Sequence, residues 1–208
     1  MIFHDQKVCF VHIPKCGGTS IELCLLKNFY PDFYNKFLFN LDKKKRFPLS
    51  GFLNESEQNL LFNGSLKDGC QHYPISFLDQ KTQENYFIFT FVRNPWSKAL
   101  SEYFYFQNQL KLKITFKRFI NRNCPYPFHM DKQISFINEN IDFIGRFENF
   151  QEDFDIVCDK IGIARQKLPH KNKTNHKHYT EYYDDETREI VAEKYAKDIE
   201  YFGYKFGE

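Results

Sequence analysis

Val8–Glu22 reads VCFVHIPKCGGTSIE, and the fold turns on it. Val8, Cys9, Phe10, Val11 and Ile13 form a short apolar run of the kind that makes a buried strand, and Pro14 stops it. Gly17 and Gly18 follow, and Thr19 and Ser20 lead into an apolar-periodic segment (Ile21, Leu23, Cys24, Leu25, Leu26) that predicts a helix. Strand, glycine-bearing turn and helix together aim backbone N–H groups at an anion. The glycines allow close approach, and the helix N-terminus contributes free donors and a partial positive charge. Lys15 adds a charge, and Thr19 and Ser20 add hydroxyls, so the stretch reads as a phosphate cradle; an ordinary strand–turn–helix is the alternative. It is not the nucleoside-triphosphatase loop G-x-x-x-x-G-K-[ST], in which Lys follows the glycines. Here Lys15 precedes them.

A chain of 208 residues is long enough for one well-buried domain and short for two, so residues 1–208 are expected to form a single domain. With 42% hydrophobic and 27% charged residues the composition is globular rather than disordered. A net charge of +2 predicts no broad field for a polyanion, so no nucleic-acid partner is expected and any anion site must be local. The basic run Lys43, Lys44, Lys45 and Arg46 reads as a solvated loop or as a contact for an acidic substrate. No run of about 18 apolar residues occurs, which predicts no transmembrane helix. The first strand starts near Val8, leaving no room for a signal peptide. The six cysteines (Cys9, Cys16, Cys24, Cys70, Cys124, Cys158) make no C-x-x-C pair and no zinc spacing with histidine, the pattern of reduced thiols in a cytoplasmic protein. Cys16 reads as a small filler, or as a thiol activated by a cationic loop.

Tyr86–Val92, YFIFTFV, predicts a second buried strand, parallel to the first. Asn94 and Pro95 then supply an N-cap and a first helical residue for a helix through Tyr105 or beyond. Shorter helices are expected over Asn54–Phe62, near Phe77 and over Thr115–Asn121. A strand is expected over Asp142–Gly145, a helix over Glu148–Ile161 ending at Gly162, and a final helix over Asp185–Phe202. Strands alternating with helices predict an α/β fold with a parallel sheet.

Phe89–Phe106 reads FTFVRNPWSKALSEYFYF. Arg93 falls at the carboxyl end of the second strand, where open α/β sheets bind ligands. Ser101 lies about two turns into the following helix, so Arg and Ser can converge on a further phosphate. A strand ending in Arg also lacks the Asp that would hold Mg²⁺ in a nucleoside triphosphatase.

The pair PKCGGTS and VRNPWSKALSEY resembles the 5′-phosphosulfate and 3′-phosphate motifs of sulfotransferases that use 3′-phosphoadenosine 5′-phosphosulfate (PAPS). It is most similar to the carbohydrate sulfotransferases that include chondroitin 4-O and heparan 2-O enzymes, sulfotransferase family 2. The resemblance continues through DFIGRFENFQEDF (Asp142–Phe154), LPHKNKT (Leu168–Thr174) and Tyr182–Phe206, and is weakest over residues 30–70. It implies a P-loop-like three-layer α/β/α fold. It also implies that Lys15, Cys16, Gly17, Gly18, Thr19 and Ser20 hold the 5′-phosphosulfate, that Arg93 and Ser101 hold the 3′-phosphate, and that Asn172, Lys173 and Thr174 close over the nucleotide. His72 matches the family's candidate base, with Asp79 or Glu84 as the nearby acidic alternatives. Two departures stand out: Cys16 where Thr or Ser is usual, and Tyr73-Pro74 after the histidine where smaller residues are expected.

Transfer of sulfuryl to a hydroxyl releases adenosine 3′,5′-bisphosphate and builds charge on the oxygen between phosphorus and sulfur, where the Lys15 cation is worth most. No metal is expected, since sulfuryl carries less negative charge than phosphoryl. The acceptor implied is a carbohydrate, with other hydroxyl-bearing molecules left open. A Mg²⁺- and ATP-dependent kinase on a related scaffold, or a non-catalytic nucleotide- or glycan-binding module, are the competing readings.

Overall fold

The strand predicted from Val8 is the second of four that the described residues form in one sheet. The computed structural model describes residues 1–32, 34, 72–111, 113–122, 128–169 and 177–208. The expected helix over 54–62, the basic run at 43–46 and the segment Asn172–Thr174 lie outside the described residues.

The strands are β1 (Ile2–Phe3), β2 (Val8–Val11), β3 (Phe87–Val92) and β4 (Phe143–Arg146), in the spatial order β1-β2-β3-β4. β2, β3 and β4 are parallel, with Val11 opposite Thr90 and Val92 opposite Arg146. β1 adds an antiparallel edge through Ile2–Cys9 and Phe3–Val8, which its two-residue length hid from any periodicity argument. The fold is therefore mixed α/β with a mostly parallel sheet and helices around it. Both central strands are buried almost throughout, as continuous apolar runs in parallel sheets must be. Thr90 spends its hydroxyl on the Val11 carbonyl at 2.7 Å, so its burial leaves no unpaired donor.

Helix α1 (Gly18–Phe29) returns from β2, and α2 (Gln80–Asn85) precedes β3. The cap of α2 is Asp79, which accepts from both the N–H and the hydroxyl of Thr82; Glu84 accepts from Gln80 at the surface. α3 (Pro95–Leu110) starts with the expected Asn94 cap, whose Oδ1 accepts from the N–H groups of Trp96 and Ser97. α4 (Phe116–Ile120) is capped by Thr115, and α5 (Phe150–Ile161) stops at Gly162, which adopts the left-handed φ of 72°. The last predicted helix is instead two: α6 (Asp185–Lys194) and α7 (Ala196–Phe202), separated at Tyr195 with φ −111° and ψ 24°. The buried Tyr195 hydroxyl donates to the Met130 carbonyl, and the break lets Asp198 of α7 accept from the N–H groups of Gln133 and Ile134.

The described residues form two apolar clusters. One lies on the sheet and includes Phe10, Phe89, Phe91, Phe136 and Phe154; the other joins Trp96, Leu100 and Phe106 of α3 to Val191 and Tyr195. Gly145 of β4 sits where a methyl group would lie 2.6 Å from the buried Phe91 ring. Gly145→Ala is thus expected to destabilise the fold by about 1–3 kcal/mol through overpacking. Urea denaturation should show a lower midpoint with an unchanged slope.

Candidate functional site

The parallel register sets the ends of β2 and β3 side by side, so the loop after Val11 and the residue after Val92 meet. Lys15 has φ 64°, a left-handed conformation that non-glycine residues reach only at a cost of about 1–3 kcal/mol. Its carbonyl is held there by Arg93, whose Nη1 donates to it at 3.2 Å. Gly17 caps α1 with φ 85° and no side chain, so it leaves the first turn of the helix open. A methyl group at Gly17 would meet the Phe150 ring at 2.5 Å, and one at Gly18 the His12 ring at 2.2 Å. Both glycines are needed for approach, and only Gly17 for its dihedral angle as well. Ser20 N–H returns to the Gly17 carbonyl, while no described residue accepts from the N–H groups of Gly17, Gly18 and Thr19. The Lys15 ammonium lies 4.4 Å over the Tyr105 ring and forms no ion pair among the described residues. Its pKa is lowered, first by burial and then by Arg93 and Lys98, with Glu102 opposing. Open helix N–H groups with a partly buried cation in the adjoining loop are the kind of arrangement that takes up an anion.

Not every predicted contact faces outward. Cys16 is buried, its thiol donating to the Gln133 side chain at 3.3 Å and burial pushing it up to about 12. It supports the loop from beneath, and burial favours its neutral thiol. Ser20 donates to the Pro169 carbonyl at 2.7 Å, which ties the segment leading to Asn172–Thr174 onto α1. Asp79 and Glu84 are engaged within α2 and at the surface, as described above.

Arg93 is fixed on three sides. Nε donates to Ser97 Oγ at 2.9 Å, Nη1 to the Lys15 carbonyl, and the guanidinium lies 4.2 Å over the Phe147 ring. Ser101, four residues beyond Ser97, lies on the same face of α3. Gln133 clamps the Arg93 peptide, accepting from its N–H and donating to its carbonyl, each at 2.8 Å. Glu148 accepts from Asn94 N–H and from the Tyr204 hydroxyl. No sequence signal marked Gln133 or Glu148, because their roles depend on partners at least 40 residues away.

His72 stands in a row of imidazoles. Its ring is 4.4 Å from that of His12 and 5.2 Å from that of His129, both edge-on. Its Nδ1 lies 3.0 Å from the His12 carbonyl. A carbonyl only accepts, so Nδ1 carries the proton and Nε2 the lone pair. The row ends in carboxylates: His12 Nδ1 is 2.8 Å from Glu22, and His129 Nδ1 is 3.0 Å from Glu102. Lys98, buried like Glu102, lies 3.6 Å from the other Glu102 oxygen and donates to the His129 carbonyl. The sequence reading placed His72 here but passed over His129, Glu102 and Lys98.

Burial drives the His72 pKa well below 6.5, helped by His12, His129 and Lys98 and opposed by its hydrogen bond to the His12 carbonyl. The folded protein therefore stays neutral at His72 where the unfolded chain takes up a proton. That contribution to stability is complete above the unfolded value and is lost as the pH falls below it. Urea midpoints should decline from about pH 7.5 to about pH 5.5, and His72→Gln should flatten the decline; a variant as acid-sensitive as the parent would contradict this.

Comparison with known proteins gives the following similarities. The model of the sulfotransferase family matches residues 1–205. An uncharacterized protein of Archaeoglobus fulgidus is 33% identical over 93 residues, which are 42% of this chain and 77% of that protein. The crystal structure of a sulfotransferase from Alicyclobacillus acidocaldarius aligns with 96% of this chain and 97% of its own at 15% identity, with a TM-score of 0.43.

Proposed function

The chain belongs to the sulfotransferase family, and from that premise we propose that it transfers the sulfuryl group of PAPS to an acceptor hydroxyl, releasing adenosine 3′,5′-bisphosphate. The observation that carries the reading is the Lys15 ammonium, partly buried at the open start of α1 and without an anionic partner among the described residues. Burying the cation costs desolvation energy that the Tyr105 ring and Glu102 offset in part and an incoming anion would offset further.

The residues divide the work. Lys15 and the N–H groups of Gly17, Gly18 and Thr19 take the 5′-phosphosulfate and stabilise charge on the leaving phosphate. Arg93, pre-oriented by Ser97 and Phe147, takes the 3′-phosphate with Ser101. Asn172, Lys173 and Thr174 cover the nucleotide, and Ser20 anchors the chain just before them through Pro169. His72, which the resemblance marks as a candidate base, contributes a neutral imidazole beside His12 and His129. The acceptor is proposed to be a carbohydrate, on the family resemblance alone. Residues 1–208 are read as one catalytic domain, since Lys205 near the C-terminus accepts from Asn94 beside the site. The described helices include none long and apolar enough to cross a membrane, and a cytoplasmic location is proposed with the reduced cysteines as its support.

The test is thermal stabilisation by adenosine 3′,5′-bisphosphate and by ATP, each with and without Mg²⁺. Ligand at about 100 times its dissociation constant adds roughly 2.7 kcal/mol, or a rise of roughly 5–10 °C for a domain of this size. The bisphosphate is expected to give that rise irrespective of Mg²⁺, and Lys15→Ala and Arg93→Ala to reduce or abolish it. A Mg²⁺-dependent rise with ATP alone would replace this reading with a kinase.

A further inference from the structure

His72 is a good acceptor of a hydrogen bond but a poor place to leave a proton. It is half-buried, its Nδ1 partner is an uncharged carbonyl, and Lys98 and two further imidazoles lie close enough to disfavour its charged form. His129 differs in one respect. Its Nδ1 bonds the fully buried carboxylate of Glu102 at 3.0 Å, and its ring lies edge-on to His72 at 5.2 Å. Donation from Nδ1 to the carboxylate leaves the lone pair on Nε2. The ring is further held by Tyr105, stacked at 5.5 Å and 12°, and by Phe106, edge-on at 5.5 Å. Tyr105 is also the ring on which the Lys15 ammonium rests, so His129 and the loop lysine share one neighbour. A buried carboxylate behind an imidazole stabilises the imidazolium that forms when the ring takes a proton, and it fixes the ring's orientation.

The geometry points to His129, backed by Glu102, as the catalytic base that takes the acceptor's proton in place of His72, whose Nδ1 has only a carbonyl behind it. The inference rests on the proposed transfer from PAPS. In the step, the acceptor O–H bond breaks as its oxygen bonds to sulfur. The bond from sulfur to the donor's bridging oxygen breaks, and its electron pair leaves on the phosphate. The proton ends on Nε2 of His129. The charged and titratable groups facing His129 are Glu102 and Lys98 from α3 and His72 from the loop before α2, with Lys15 reaching the same Tyr105 ring. Lys98 sits 3.6 Å from the Glu102 oxygen that His129 does not use, which keeps the carboxylate from being an uncompensated buried charge.

The test is His129→Asn, whose side-chain amide keeps a donor for Glu102 while removing Nε2. The readouts are bisphosphate binding, by thermal shift, and release of adenosine 3′,5′-bisphosphate from PAPS with water as the acceptor. The variant is expected to bind the bisphosphate as the parent does, to turn over at least about a hundredfold more slowly, and to regain much of the loss with added imidazole. Turnover within about threefold of the parent, with binding intact, would overturn the inference and leave the Lys98–Glu102–His129 network a structural tie between α3 and residues 128–131. Should the variant fold poorly, diethylpyrocarbonate on the parent protein decides: loss of turnover must track carbethoxylation of His129 by mass spectrometry, and turnover surviving that modification overturns it. Failure of the parent itself to bind the bisphosphate would instead remove the donor reading, and this inference with it.

Discussion

The bond from Arg93 to the Lys15 carbonyl is the contact on which the site depends. It joins the end of β3 to the loop after β2, and it holds Lys15 in a left-handed conformation that its side chain disfavours. Behind it stands a second tier. Gln133 grips the Arg93 peptide from both sides, and Asp198 grips the Gln133 and Ile134 peptides in turn. Cys16 donates to the same Gln133 oxygen, so the cradle and the arginine share one support. Strain stored in the loop is thus held by bonds reaching to the final helix. Such over-determination is what allows a disfavoured backbone to persist.

Electrostatics set the second constraint. Lys15, Arg93 and Lys98 bring three cations to the strand ends, and the buried Glu102 with the nearby Glu148 compensates only part of that charge. Lys98 is neutralised within α3, where Glu102 lies one turn on. Lys15 has no such ion pair among the described residues, and burial, with Arg93 and Lys98 nearby, lowers its pKa. Among the described residues one lysine is thus left without an ion pair, in the loop before a helix whose first N–H groups find no acceptor there, which is the feature that supports the proposed anion site.

Aromatic residues do much of the positioning. Phe150 lies under Gly17, Phe147 under the Arg93 guanidinium, and Tyr105 between Lys15 and His129 in the contact network. Flat rings pack closely against glycine backbone and carry cations on their faces without offering a competing acceptor. The high Phe content, 25 residues, thus serves the site as well as the core.

What the sequence determined by itself is local. Val8–Val11 and Phe87–Val92 are strands because continuous apolar runs bury on both faces, and α3 begins where Asn94 and Pro95 supply a cap and a fixed φ. Two glycines after a strand marked the turn into α1, and the apolar run before Arg93 put that residue at the end of β3. Each of these is decided by residues within a few positions of one another. The tertiary structure decided the rest. It turned Cys16 inward and Ser20 toward Pro169, broke the last helix at Tyr195 so that Asp198 faces Gln133, and set His129 beside His72 with Glu102 behind it. Those partners lie tens of residues or more apart in the chain, and no periodicity or capping rule spans that distance. They meet only because parallel strands bring their carboxyl ends to one edge of the sheet, where side chains without a common local pattern come to share one charge balance.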